Sequence, residues 1–450
     1  MVFVPGDVTE FRYLDARIDR TTGLAEFSFA FVGSGDESFV ERIGFTLPED
    51  SAAVDWERVQ STLVLLGAVL STSYYKAAAP SRFVVEAAGL GPEGVRYLSA
   101  IIENGLGEFA YRAGLPGLLT PEIVVTNTAD TFVPWTHTVA ATGAPLVAIG
   151  GGKDSVMSVE STVDVGFAPV QFAVNPNSII KRVAAVSGHP LVTASRTIDR
   201  RLLELNAEGA LNGHVPVTAM NSLIAVIQSQ LLGLGPVVMS NESSASDPTL
   251  QWNGRWINHQ WSKSLEAERA LVSVLADQVG LTDAYFSLLR PFSELRIARG
   301  FAGTTKYDAA IVSCNRAYRL GAANVGWCGD CDKCRFVFLA FAPFMSGERL
   351  TGIFGKNMFD DATQLPGYRA LLGLDAHKPF ECVGEEAECS VAMSLAARSP
   401  EWSSTAVLRA LVEEIPTLAT GDPALERQVF ADSDALALTE QYEKARHALV

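Results

Sequence analysis

Leu146-Val147-Ala148-Ile149-Gly150-Gly151-Gly152-Lys153-Asp154-Ser155 is the stretch whose reading decides the fold. The first four residues are apolar and too few for a helix, so they suit a short buried strand. The three glycines let the backbone turn tightly and bring its N–H groups close to an anion. Asp154 and Ser155 suit the first turn of a helix, whose positive end points at the same place. Lys153 adds a full charge. Asp154 can hold a Mg²⁺ ion that bridges phosphates, and Ser155 can donate to a phosphate oxygen. Gly150, Gly151, Gly152, Lys153, Asp154 and Ser155 are therefore the candidate phosphate-binding residues. The spacing is not that of the Walker loop, which sets four residues between its first glycine and the Gly-Lys pair. The plain alternative is a glycine-rich turn with no ligand.

The rest of the chain weighs against that alternative. Residues 170–174, 191–194 and 236–240 read as further short strands, separated by helices over 178–186 and 217–232. The second of these helices is apolar nearly all round and should be buried. Such alternation implies a parallel sheet with helices on both faces. Upstream, Phe27, Phe29 and Phe31 alternate with Ser28 and Ala30, the pattern of a strand with one apolar face. Helices over 56–76 and 95–112 follow, then a Gly- and Pro-rich connector over 114–121. An amphipathic helix is expected over 263–279 and another over 406–415. The expected organisation is α/β: an N-terminal α+β domain (1–140), a parallel-sheet nucleotide domain (141–335) and a mostly helical C-terminal region (336–450).

Composition narrows the function classes. At 48% hydrophobic the 450 residues can bury a full-sized core. No apolar run is long enough to span a bilayer, and the start lacks the pattern of a secretory signal, so the expected location is cytoplasmic. A net charge of −16 disfavours a broad nucleic-acid footprint but not a small anionic ligand in a local basic pocket.

Four of the six cysteines lie between Cys314 and Cys334. In Cys328-Gly329-Asp330-Cys331-Asp332-Lys333-Cys334 three sulfurs can converge if the chain turns sharply, which Gly326 and Gly329 permit. Cys314 completes a Cys₄ set suited to a closed, structural zinc site. Free thiols in a tight turn and an iron–sulfur cluster are the alternatives. Cys382 and Cys389 read as small packed residues.

Two further segments are rich in polar groups. Ser240-Asn241-Glu242-Ser243-Ser244 follows the fourth strand, at the end where parallel sheets bind ligands, so Glu242 can reach a substrate or metal or remain a solvated carboxylate. Asn258-His259-Gln260-Trp261-Ser262-Lys263-Ser264 offers His259 as a proton carrier and Lys263 as an anion clamp. Asp154, Glu242, His259 and Lys263 are the candidate catalytic residues. Arg196, Arg200 and Arg201 are read either as phosphate ligands or as a solvated face.

The glycine loop resembles the S-G-G-x-D-S loop of the N-type ATP pyrophosphatase (PP-loop) superfamily, with Gly150 where a serine is usual. The cysteine run is similar to the zinc site of 7-cyano-7-deazaguanine synthase in that superfamily. GGKDS, NHQWSKS, the cysteine cluster and Pro379-Phe380-Glu381-Cys382-Val383-Gly384 together resemble the UDP-N-acetylmuramoyl-L-alanyl-L-glutamate epimerase family of bacterial cell-wall synthesis. That resemblance implies a PP-loop fold and an isomerase acting on UDP-MurNAc-L-Ala-L-Glu. It implies use of ATP and Mg²⁺, adenylation of the glutamyl carboxylate, inversion to D-glutamate and release of AMP and diphosphate. The alternatives are a deazaguanine-type carboxylate-adenylating ligase, a tRNA-modifying relative disfavoured by the charge, and a nucleotide sensor without turnover.

Overall fold

The computed structural model describes residues 3–33, 36–126, 132–319, 326–374 and 383–450. Pro379 to Cys382 lie outside the described residues.

The quoted apolar run forms the strand β6 (Leu146–Ala148) of a ten-stranded sheet. Around it run β7 (Val170–Val174), β8 (Leu191–Thr197), β9 (Val237–Met239) and β10 (Tyr285–Ser287), all parallel. Their order is β10-β9-β6-β7-β8. Successive strands add on one side of β6 and then, from β9, on the other. The carboxyl ends of β6 and β9 therefore flank a topological switch point, where open parallel sheets form a crevice. Val147, Val237 and Val238 are fully buried, as expected of strands covered on both faces.

The N-terminal strands extend the same sheet. β1 (Val8–Ile18), β2 (Leu24–Gly33) and β3 (Glu37–Gly44) form an antiparallel meander, and β4 (Arg82–Val85) and β5 (Glu122–Val125) run parallel to β1. β3 pairs antiparallel with β8, Arg42 opposite Thr197, so one sheet spans both parts of the chain. The alternation read from Phe27, Phe29 and Phe31 is realised: all three are buried, and Phe29 stacks on Tyr74 at 4.6 Å between ring centroids.

The helix Trp56–Leu70, capped by Asp55 accepting from the Arg58 amide, packs across the buried helix Val217–Leu232. The helix expected over 263–279 is broken. It starts only after Ser264, whose side chain caps the Ala267 amide, and its last turn, Leu275–Val279, widens to a π-helix that ends on Gly280 in the left-handed conformation. After β10 the described chain is helical and builds a second core around Phe338, Phe359 and Trp402. The final helix, Glu440–Ala448, returns to pack on Lys153–Asp164, the helix that follows the glycine loop. Among the described residues no helix is long and apolar enough to cross a membrane.

Candidate active site

The glycine loop opens onto a cleft of about 400 Å³ at the switch point. Gly150, Gly152, Asp154 and Ser155 line it from the loop, and Ser240, Asn241 and Lys263 from the far side. Gly151 has φ +83°, a conformation that an L side chain resists, and a Cβ there would lie 2.5 Å from the Tyr318 hydroxyl. That hydroxyl donates to the Gly150 carbonyl at 2.8 Å and fixes the turn from outside. Gly150 is different: a Cβ there would meet nothing within 4 Å. Ser155 is held in the first helical turn, its hydroxyl donating to the Gly152 carbonyl and accepting from the Gly150 amide.

Lys153 does not reach into the cleft. Its side chain is buried and ion-paired to Asp154 and Glu294. Glu294 opens the helix Glu294–Ala302 and also receives Lys333 at 3.3 Å. Burial pushes the Lys153 ammonium down, but Asp154 and Glu294 outweigh it and hold it above its usual range. Burial likewise raises Glu294, and Lys153 and Lys333 reverse that, bringing it to about 2. At Glu242 the pull of Lys263 and Lys333 is outweighed. Burial, reinforced by the Glu294 charge, pushes it up to about 7. Glu388, from the C-terminal helix Glu386–Arg398, is raised well above the carboxylate range by burial and by the same two glutamates. Behind the cleft wall, paired charges thus stand close to carboxyls that burial holds toward the protonated form, a combination suited to acid–base chemistry.

Arg290, 1% exposed, ties the walls together. Its guanidinium donates to the Glu242 carbonyl at 2.7 Å, the Lys263 carbonyl at 2.5 Å and the Glu268 carboxylate at 2.8–2.9 Å. The two polar segments read from the sequence are thereby clamped to one buried side chain. His259 stands apart from the glycine loop: its Nδ1 lies 2.6 Å from the Glu108 carboxylate. Arg196 pairs with Glu41, Arg200 with Glu204 and Arg201 with Glu37 and Glu208, so these arginines serve ion pairs and not the cleft.

The four clustered cysteines converge. Sγ separations are 4.0 Å (Cys314–Cys331), 3.7 Å (Cys328–Cys334) and 3.5 Å (Cys331–Cys334), and all four lie within 4.8 Å of one another. Sulfurs ~2.3 Å from a tetrahedral zinc ion stand ~3.8 Å apart, so the set fits that ion. Gly329, at φ +63°, makes the turn that lets Cys328 and Cys331 face each other. The cluster adjoins the cleft directly. Ser313 and Asn315, which flank Cys314, and Lys333, between Cys331 and Cys334, all line the cleft wall. Glu294, Lys333, Arg290, Glu268 and Glu388 were not found from the sequence. Lys333 was hidden inside the cysteine motif, and the others carry no local signature.

The MurL N-terminal domain family matches residues 2–288, and the MurL C-terminal domain family matches residues 310–426. The chain is 49% identical to the UDP-N-acetyl-alpha-D-muramoyl-L-alanyl-L-glutamate epimerase of a Micromonospora species, over 97% of each chain. It is 49% identical to the protein of that name from Salinispora tropica, over 91% of this chain and 89% of the relative. A third, from Xanthomonas oryzae pv. oryzae, is 40% identical over 93% of each chain. No solved structure matches. Matched in both of its domains and over nearly its whole length, the chain belongs to the MurL family.

Proposed function

We propose that this protein inverts the terminal L-glutamate of UDP-MurNAc-L-Ala-L-Glu through an acyl-adenylate, consuming ATP and releasing AMP and diphosphate in the cytoplasm. One observation carries the reading: in a chain whose relatives bear the epimerase name, the Gly150–Ser155 loop opens at the switch point onto a cleft lined by Asp154, Lys263 and Lys333. The PP-loop superfamily placement belongs to the same proposal and rests on the loop residues.

The chemistry gives a reason for ATP. An α-proton beside a carboxylate is hard to remove, because the carbanion would form next to a negative charge. Transfer of AMP to that carboxylate turns it into a mixed anhydride, whose carbonyl accepts the electron pair as an enolate. The Gly150, Gly151 and Gly152 amides and the helix that starts at Lys153 suit the ATP phosphates. The Lys153 charge sits behind them. Asp154, a quarter of whose side chain remains open, would hold Mg²⁺, which supplies charge neutralisation on the phosphates. Lys263 and Lys333 suit the substrate carboxylate or the departing diphosphate. Glu242, carrying a proton near neutrality, and His259 suit proton transfer at the α-carbon. Cys314, Cys328, Cys331 and Cys334 would hold a structural zinc that keeps Lys333, Ser313 and Asn315 in place.

Asp154→Ala tests the assignment. Release of AMP dependent on the L,L-substrate should vanish, while turnover at the wild-type rate would reject the loop. AMP release that requires ammonia would favour a ligase of the deazaguanine type.

A further inference from the structure

Glu108, His214 and His259 come from three distant stretches and meet in one cluster. Glu108 lies in the helix Gly107–Ala113, His214 three residues before the helix Val217–Leu232, and His259 four residues before Lys263. One Glu108 oxygen lies 2.6 Å from His259 Nδ1 and 3.4 Å from His214 Nδ1, and the other accepts from Arg112 at 2.6 Å. Burial pushes the Glu108 carboxyl up, but His259, Arg112 and His214 together reverse that and hold it below its usual range, so it is ionised. An ionised carboxylate accepts only, which makes His259 Nδ1 the protonated nitrogen and leaves Nε2 with the lone pair. A carboxylate that fixes an imidazole in this tautomer stabilises the imidazolium formed when Nε2 takes a proton.

Chain neighbours of these residues line two cavities. Asn221, on the helix that follows His214, and Lys263 both line the cleft. The Lys263 charge acts on His214 on one side and on Glu242 on the other. Gly107 and Asn258, the chain neighbours of Glu108 and His259, line a second cavity of about 780 Å³. The segment 258–264, which carries His259, therefore borders both cavities, the nucleotide-sized cleft through Lys263 and the larger space through Asn258. The three side chains also form a possible metal set. However, Arg112 already occupies one Glu108 oxygen and Lys263 stands close by, so a dication would enter among cations.

We propose that His259 is the catalytic base on one face of the glutamyl α-carbon, and that Glu108 is its positioning residue. The proposal rests on the acyl-adenylate reading above. The Cα–H bond breaks, its proton moves to Nε2 of His259, and its electron pair passes into the enolate. On the opposite face a new Cα–H bond forms with the carboxyl proton of Glu242. Solvent then takes the proton from His259 and returns one to Glu242, and water attacks the acyl carbonyl and breaks its bond to AMP, leaving the D-glutamyl carboxylate and free AMP.

The test compares two rates in His259→Asn and Glu108→Gln, given UDP-MurNAc-L-Ala-L-Glu, ATP and Mg²⁺. These are AMP release and formation of the D-glutamyl product. His259→Asn should cut inversion by about 100-fold or more, the scale of a general base, while AMP release stays within about threefold. Glu108→Gln should lower kcat for inversion more than it changes KM, Glu108→Asp should recover part of it, and added imidazole should restore His259→Gly. Inversion unchanged in His259→Asn would overturn the proposal, as would inversion and AMP release falling in parallel. So would loss of one bound metal per chain in His214→Asn. If the wild-type protein inverts the substrate without ATP, the acyl-adenylate reading fails, and the His259→Asn inversion rate still decides the base.

Discussion

Replacing Arg290 by Met should separate the stability of this protein from its activity. Arg290 and Glu268 are each 1% exposed in their side chains and form a buried pair. Removing one partner of such a pair leaves a buried charge uncompensated and costs about 3–5 kcal/mol. Adding Glu268→Gln removes that charge and keeps an acceptor for the Ser287 amide, which Glu268 now binds at 3.0 Å. The double variant should therefore regain roughly half of the loss in urea denaturation. Turnover should not follow. The carbonyls of Glu242 and Lys263 lose their shared donor in both variants, and a displacement of about 1 Å at reacting groups is enough for a 10²-fold loss. Urea midpoints and AMP-release rates on wild type, both single variants and the double variant complete the cycle. A loss below about 1 kcal/mol in Arg290→Met, or activity returning together with stability in the double variant, would rule out this role for Arg290.

Other perturbations have equally definite outcomes. Gly150→Ser should keep or improve ATP affinity because the position is open, whereas Gly151→Ala should weaken it at least tenfold through the positive φ and the Tyr318 contact, both read by titration with ATP. Cys334→Ser should lower the zinc content of the purified protein and weaken ATP binding together, because Lys333, Ser313 and Asn315 lose their anchor; metal loss with unchanged ATP affinity would break that link. The Glu242 carboxyl has a folded-state value of about 7 against 4.5 when unfolded, so the folded chain binds the extra proton between those values and wild-type stability falls as pH rises through them. Glu242→Gln should remove that slope, gaining roughly 3 kcal/mol on wild type at pH 8 relative to pH 4 in nucleotide-free urea titrations, while an equal difference at both pH values would contradict it.

Much of this arrangement was legible in the linear sequence where chemistry and local geometry coincide. The strand before Gly150, the helix after it and the four-cysteine set each rest on residues close together in the chain, and each is found where the patterns place it. The helix Val217–Leu232 was legible because burial on all sides leaves no polar stripe. What was not legible depends on strand order. Nothing local says that β9 lies beside β6, and that adjacency is what brings Glu242 to the glycine loop. Nor does the sequence indicate that β3 joins β8 and makes the two sheets one. Glu294, Arg290 and Glu108 are ordinary helix- or turn-starting charges by pattern. Their roles come from the lysines, carbonyls and imidazoles that the tertiary fold sets against them. The helix start at Ser264 carries a sequence signal, a capping serine three residues before Ala267, but the apolar periodicity around it masks that signal.

On the proposed mechanism, the Gly150–Ser155 loop activates a carboxylate so that its neighbouring α-proton can leave. Incubation of the protein with UDP-MurNAc-L-Ala-L-Glu, ATP and Mg²⁺ in deuterated water measures this directly. One deuterium is expected at the glutamyl α-carbon of the D-configured product and at least one AMP per inversion, with no deuterium uptake when ATP is omitted or in Asp154→Ala. Inversion with deuterium uptake at an undiminished rate in the absence of ATP would contradict this mechanism.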